Sequence, residues 1–180
     1  MVGVRRKLTL SLGRHYLETV GRDFRKLKAL GESALAQVED AQLHASLDVE
    51  SNSLAMLVRH LAGNMVSRWT HFLTADGEKA DRNRDSEFEG SIASRADLLG
   101  LWERGWTCLF DTLSALGPDD LERVVRIRGE ELSALEAIDR QMSHYGQHVG
   151  QIVFLAKHLS GDRWRSPSIP RGQSEAWRSR

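Results

Sequence analysis

The sequence predicts an all-α fold, a four-helix bundle, from three observations. Four segments repeat apolar residues in alternating steps of three and four, the spacing that gives a helix one face to bury. Each segment is bounded by residues that start or stop helices. Strand-like alternation is nearly absent; Val124-Val125-Arg126-Ile127-Arg128 alone suggests a short extended piece.

The first helix is expected over about 9–38, on the stripe Leu17, Val20, Phe24, Leu27, Gly31, Ala34 and Val38, with Gly21 and Gly31 awkward in its interior. The second, about 52–74, carries Leu54, Val58, Leu61, Met65, Trp69 and Phe72; Asn52 or Ser53 can cap it and Asp76-Gly77 ends it. The third, about 93–116, carries Leu99, Trp102, Trp106, Leu109, Leu113 and Leu116 between a Ser94/Asp97 capping box and Gly117-Pro118. The fourth, about 133–160, carries Leu135, Ile138, Met142, Tyr145, Val149, Ile152, Ala156 and Leu159 between Ser133/Glu136 and Gly161. The link from Ala75 to Ile92 is long beside the ~2–8 residues usual between bundle helices. Such a link can cross the end of the bundle and set the third helix parallel to the second, so simple up-down-up-down topology is not expected. Residues 161–180, with Pro167, Pro170 and Gly172, read as an irregular arm on the surface or on a partner, with Trp164 and Trp177 as docking side chains. No internal repeat divides the chain, and 1–180 is read as a single domain.

The chain has 180 residues, with Lys+Arg 25 against Asp+Glu 25, so no bulk charge favours nucleic acid. No long apolar run follows Arg5, Arg6 and Lys7, and no segment approaches a membrane span, so neither a signal peptide nor a membrane partner is expected. Cys108 is the one cysteine, which fits a cytoplasmic location. It lies beside the third stripe and reads as core, not nucleophile. There is no G-x-S-x-G, P-loop or dinucleotide-binding glycine pattern.

The chemistry gathers on two polar strips. His60, Asn64, Ser67 and His71 are spaced four, three and four beside the apolar stripe of the second helix. Gln141, His144, His148 and Gln151 are spaced three, four and three on the fourth. His144 and His148, at i and i+4, lie one above the other on a single helix face. If the strips face each other, His60 joins them in a three-imidazole site for a divalent ion, Zn or Ni, with an open coordination position. A water there would be acidified, or replaced by a substrate thiolate or carbonyl. Asn64, His71, Gln147 and Gln151 are candidates for orienting ligands or substrate. The plainer alternative is that these histidines merely hydrogen-bond near the core, as H-x-x-x-H is common by chance. The run lacks the Glu of H-E-x-x-H, so a metalloprotease is excluded. His15, His44 and His158 carry no chemistry on this reading.

In the link, Asp81, Asn83 and Asp85 begin like a calcium loop, but Ser86 stands where Gly is required and Ile92 where Glu is required, so calcium is rejected. The charges there form either a solvated turn or a network of Arg82 and Arg84 with Asp85, Glu87 or Glu89. Folded over the polar strips, Arg82 or Arg84 could hold a substrate carboxylate.

The runs N-S-L-A-M-L-V-R-H-L-A-G-N-M-V-S-R-W-T-H-F-L-T-A-D-G-E-K, R-N-R-D-S-E-F-E, A-I-D-R-Q-M-S-H-Y-G-Q-H-V-G-Q-I-V-F-L-A-K and S-I-P-R-G-Q-S-E-A resemble an uncharacterised bacterial family of the DinB/YfiT-like superfamily of metalloenzymes. The resemblance runs from about Leu17 to Ala176. It implies a four-helix bundle of DinB/YfiT-like type with a long crossover between helices 2 and 3. It implies a metal on one His of helix 2 and an H-x-x-x-H pair of helix 4, here His60, His144 and His148. It also implies a homodimer. The superfamily includes S-transferases and isomerases that use a low-molecular-weight thiol, metal-dependent hydrolases, and stress-induced proteins of no assigned activity. The chain departs from the family at Ala80-Asp81, where a Pro-Trp pair often stands, and at Leu132-Ser133, where a His-Thr step is common. No catalytic base follows from the pattern, so the catalytic residues stay unassigned. Three functions are therefore expected in order: a metal-dependent enzyme of thiol S-transferase type acting on a small molecule, a metal-dependent hydrolase, and a non-catalytic metal-binding or stress-response protein.

Overall fold

The computed structural model describes residues 11–89 and 92–175. Four α-helices dominate: α1 (Leu12–Leu35), α2 (Leu54–Trp69), α3 (Arg95–Ala115) and α4 (Ala134–Ser160). An antiparallel hairpin of β1 (Val124–Ile127) and β2 (Glu130–Ser133) leads into α4. The protein is thus mostly helical, as its periodicity predicts, with a strand pair where only one extended piece was expected.

Each helix starts on a serine. The side chains of Ser11, Ser53, Ser94 and Ser133 accept from the backbone N–H groups of Arg14, Met56, Asp97 and Glu136, each bond satisfying one of the free donors of a first turn. Ser53, not Asn52, is therefore the cap of α2. Gly161, at φ 53°, closes α4.

The end of α2 departs from expectation. The stripe runs to Phe72 and the stop signal is Asp76-Gly77, yet the helix ends at Trp69, with Thr70 extended and His71 at φ 52°. Tertiary partners replace the lost helical bonds: Thr112 Oγ1 donates to the Trp69 carbonyl at 3.0 Å. Phe72 folds back to stack on Trp69, with 5.1 Å between ring centroids.

The hairpin depends on the same segment. Its turn residues Arg128 and Gly129 both have positive φ, 58° and 78°, as a two-residue hairpin turn needs. Arg-Gly is a weak local turn signal, and Asp76 supplies the rest. Its carboxylate accepts from the backbone N–H of Arg128 at 2.8 Å and of Gly129 at 2.7 Å. The hairpin is thereby tied to the chain leaving α2.

Contacts fix the helix directions. Tyr16 donates to Asp139 at 2.6 Å and Ser160 to the Gln37 carbonyl at 3.0 Å, so α1 and α4 run the same way. Gly105 approaches Ala62 while Thr112 reaches Trp69, so α2 and α3 also run together. Gly13 lies against Pro118 and Gly31 against Trp102, which sets α1 opposite to α3. The senses are up, down, down, up, and the long link after α2 returns the chain to the end where α3 must begin. Gly31 is explained here, since a Cβ would lie 2.7 Å from the Trp102 ring.

The core centres on fully buried aromatics. Phe24 packs edge-on to Trp69 and Trp106, with centroids 6.0 and 6.3 Å away, and Trp106 meets Trp102 and Tyr145. Cys108 is half-buried beside Thr70. The C-terminal arm is tied to the segment just after α1: Gln37 and Arg165 exchange two hydrogen bonds of 2.6 and 2.9 Å, and Trp164 packs half-buried against the core. Trp177 lies outside the described residues. No described helix is long and apolar enough to cross a membrane.

Candidate metal centre

α2 and α4 run antiparallel where their polar strips meet, and this brings together the three histidines singled out by spacing. His60 Nε2 lies 3.3 Å from His144 Nε2, which lies 3.1 Å from His148 Nε2. The three ligating atoms all fall within 4.8 Å of one another. Two ligands about 2.05 Å from a tetrahedral ion are separated by about 3.3 Å, so both close edges fit a zinc-like shell.

The proton positions also suit an ion. His60 Nδ1 faces Glu87 Oε2 at 2.9 Å, and His148 Nδ1 faces Gln151 Oε1 at 2.7 Å. Each partner is an acceptor, so in the neutral ring Nδ1 carries the hydrogen and Nε2 presents its lone pair inward. Burial, followed by the neighbouring His148 and His60, pushes the His144 imidazole down to about 3. Burial likewise lowers His148, against the Gln151 hydrogen bond. The Nε2 atoms of all three rings converge, those of His60 and His148 with their outer nitrogens on acceptors, and the group can hold a divalent metal.

Glu87 is the residue that spacing alone did not assign to the centre. It appeared only as a possible partner for the link arginines. In the structure it is buried, 6% exposed, and Arg82 grips it in a bidentate pair at 2.7 and 2.8 Å while its other contact is His60. Burial works against its charge, but the His60 and Arg82 hydrogen bonds prevail and hold the carboxyl below its usual range. A carboxylate on the outer nitrogen of a ligand histidine fixes the ring and raises its basicity. Gly63 makes room for it: a Cβ there would lie 2.9 Å from the Glu87 carboxyl carbon. Phe88 packs on the His60 ring at 4.9 Å, and Arg59 holds the link through the Ser86 and Glu89 carbonyls.

The other candidates divide. Gln151 orients His148. Asn64 lines the cavity beside the centre and accepts from the Tyr145 hydroxyl at 3.1 Å, which in turn accepts from Trp69 Nε1 at 3.0 Å. Arg82 and Arg84 line the same cavity. His71 and Gln147 do not join them. His71, exposed beyond the early end of α2, sits in a groove with Lys79 and Arg104. Gln147 faces a groove with Leu57 and Phe154. Two buried atoms at the centre lack a partner, His144 Nδ1 and, one turn earlier on α4, Gln141 Oε1.

No curated protein and no solved structure gives a significant match to this chain. Residues 11–173 match a family described as "Protein of unknown function (DUF1572)". That match takes in all four helices, the hairpin, the link with Glu87 and the three histidines, and the chain belongs to the DUF1572 family.

Proposed function

We propose that the protein is a metal-dependent enzyme with a DinB/YfiT-like four-helix bundle, holding Zn or Ni on His60, His144 and His148 and using a low-molecular-weight thiol in an S-transferase-like reaction. The observation that carries the metal reading is the convergence of three Nε2 atoms whose outer nitrogens face acceptors on two of the three rings. A divalent ion there supplies Lewis acidity, lowering the pKa of a coordinated thiol or water.

The surroundings favour the thiol. Hydrolysis needs a base positioned to move protons to and from water. Among the described residues the carboxylate in hydrogen-bond contact with the three histidines is Glu87, and it is buried and occupied by Arg82 and His60. A thiol held by an ion on His60, His144 and His148 would ionise outright and would need no such base. In this scheme Glu87, positioned by Arg82, holds His60; Gln151 holds His148; and Phe88 shields the His60 ring from water. The hydrolase stays as the second reading because the ion's open position would also accept water. A homodimer accompanies the proposal, supported by the superfamily resemblance and by exposed Leu47, Val49 and Phe154.

The test starts with metal content by mass spectrometry on untagged protein. Near-stoichiometric metal in wild type and its loss in His60→Ala are expected. Cobalt-substituted protein is then titrated with a free thiol. A shift of the cobalt spectrum supports the transferase; an unchanged spectrum at saturating thiol would remove it and leave the hydrolase.

A further inference from the structure

The cavity beside the three histidines, about 170 Å³, is lined by five guanidinium groups: Arg68, Arg82, Arg84, Arg128 and Arg140. Such a gathering of like charge in a small space requires an account. Part lies in the protein. Arg68, Arg82 and Arg128 converge on Glu78 at 2.8, 3.2 and 3.0 Å, Arg82 also holds Glu87, and Arg140 pairs with Glu130 at 2.8 Å. Three carboxylates thus face five guanidiniums. Asp76, whose oxygens accept from the backbone N–H groups of Glu78, Arg128 and Gly129, also acts on Arg68 and brings the carboxylates to four, still one fewer than the guanidiniums.

The excess lies at the open side. The Arg68 and Arg82 side chains are only 7% and 5% exposed and form the floor. Arg84, Arg128 and Arg140 are exposed and form the rim. Among the described residues Arg84 has no carboxylate partner; its guanidinium lies 5.9 Å over the Phe88 ring. The Arg140–Glu130 pair is exposed on both sides, and such pairs contribute little and exchange readily. Gln141, 3% exposed, also lines the cavity, but its unpartnered side-chain oxygen is an acceptor, so the donors for an anion are the guanidiniums. Planar guanidiniums in this number suit the paired oxygens of a carboxylate or phosphate.

We infer that this cavity is a subsite for a compact oxyanion, a carboxylate or phosphate group of the substrate, held by Arg84 and Arg140 at the rim beside the three-histidine centre. The size allows the anionic group and little more, so the remainder of the substrate extends toward the histidines or out to solvent. That the anion belongs to a substrate rests on the metal reading; that the cavity binds an anion does not.

Isothermal titration with malonate and with inorganic phosphate, on metal-loaded and on chelator-treated protein, tests both. The proteins are wild type, the exposed-site double variant Arg84→Met/Arg140→Met, and Arg22→Met as a charge control on α1. At least one probe should bind wild type in both metal states, and the double variant should weaken it about tenfold or more while Arg22→Met leaves it unchanged. Tighter malonate indicates a carboxylate substrate; tighter phosphate indicates a phosphorylated one. No binding of either probe overturns the subsite. So does binding that requires metal and ignores the double substitution, which would place the anion on the ion. Anion binding that needs the two arginines in a protein that takes up no metal supports the subsite and removes the metal reading alone.

Discussion

The two sides of the core are equally buried and built on opposite chemistry. Where α1 meets α3, the interior is Phe24, Trp102, Trp106 and Leu113, and the unpartnered polar atoms are the indole nitrogens of Trp102 and Trp106. Where α2 meets α4, the interior adds the polar residues His60, Asn64, Arg68 and Gln141, most of them hydrogen-bonded to the link or to Tyr145, whose ring still packs on Phe24 and Trp106. Buried polar groups lower stability unless satisfied, whereas aromatic packing adds to it directly. One half thus holds the fold and the other holds the candidate site, with the link 76–89 on the side of the second.

The largest effect on stability should come from the aromatic half. Trp106→Ala removes a fully buried indole and should lower unfolding free energy by about 3–5 kcal/mol, read by denaturant unfolding. If His144→Ala destabilised the metal-free protein as much, the division would fail; it should instead abolish metal binding with the helical circular dichroism retained.

Glu87→Gln should weaken metal binding about 10–100-fold, the usual cost of losing a carboxylate behind a ligand histidine. Gly63→Ala reaches the same residue by sterics and should produce a similar loss in a chelator competition assay, because the added Cβ displaces the Glu87 carboxyl. Equal affinity in all three proteins would show that Glu87 serves the fold alone.

A pH series on metal-free protein separates the halves again. His144 and His148 titrate lower when folded than the ordinary 6.5, because burial disfavours their charged forms. The unfolded chain therefore binds more protons, and stability should fall as pH drops below 6.5, continuing toward about 3 for His144. Glu87, depressed below its ordinary 4.5, adds a further loss at lower pH. Double substitution of His144 and His148 by Gln should flatten the first part of the curve. An unchanged curve would mean the loss arises elsewhere.

The smallest effect is expected at Gln141→Leu. Its unpartnered oxygen contributes no hydrogen bond, so the change should leave melting temperature equal or slightly raised, within about 1 kcal/mol. A drop of several degrees would reveal that Gln141 satisfies the outer nitrogen of His144.

Much of this was determined by sequence alone. Helix periodicity placed four helices, Ser94 and Ser133 set two of their starts and Asn52 or Ser53 a third, and the four-residue step of His144 and His148 put two imidazoles on one face. These are short-range properties: a helical repeat, a cap and an i, i+4 pair are complete within a few residues of chain. The early end of α2, the Arg128-Gly129 hairpin, the absence of His71 and Gln147 from the centre and the seating of Glu87 were decided by tertiary structure. Each depends on a partner distant in sequence: Thr112 on the Trp69 carbonyl, Asp76 on the hairpin turn, Arg82 and the open face of Gly63 around one carboxylate. Local preference in these segments is weak, so the long-range contacts set their conformation.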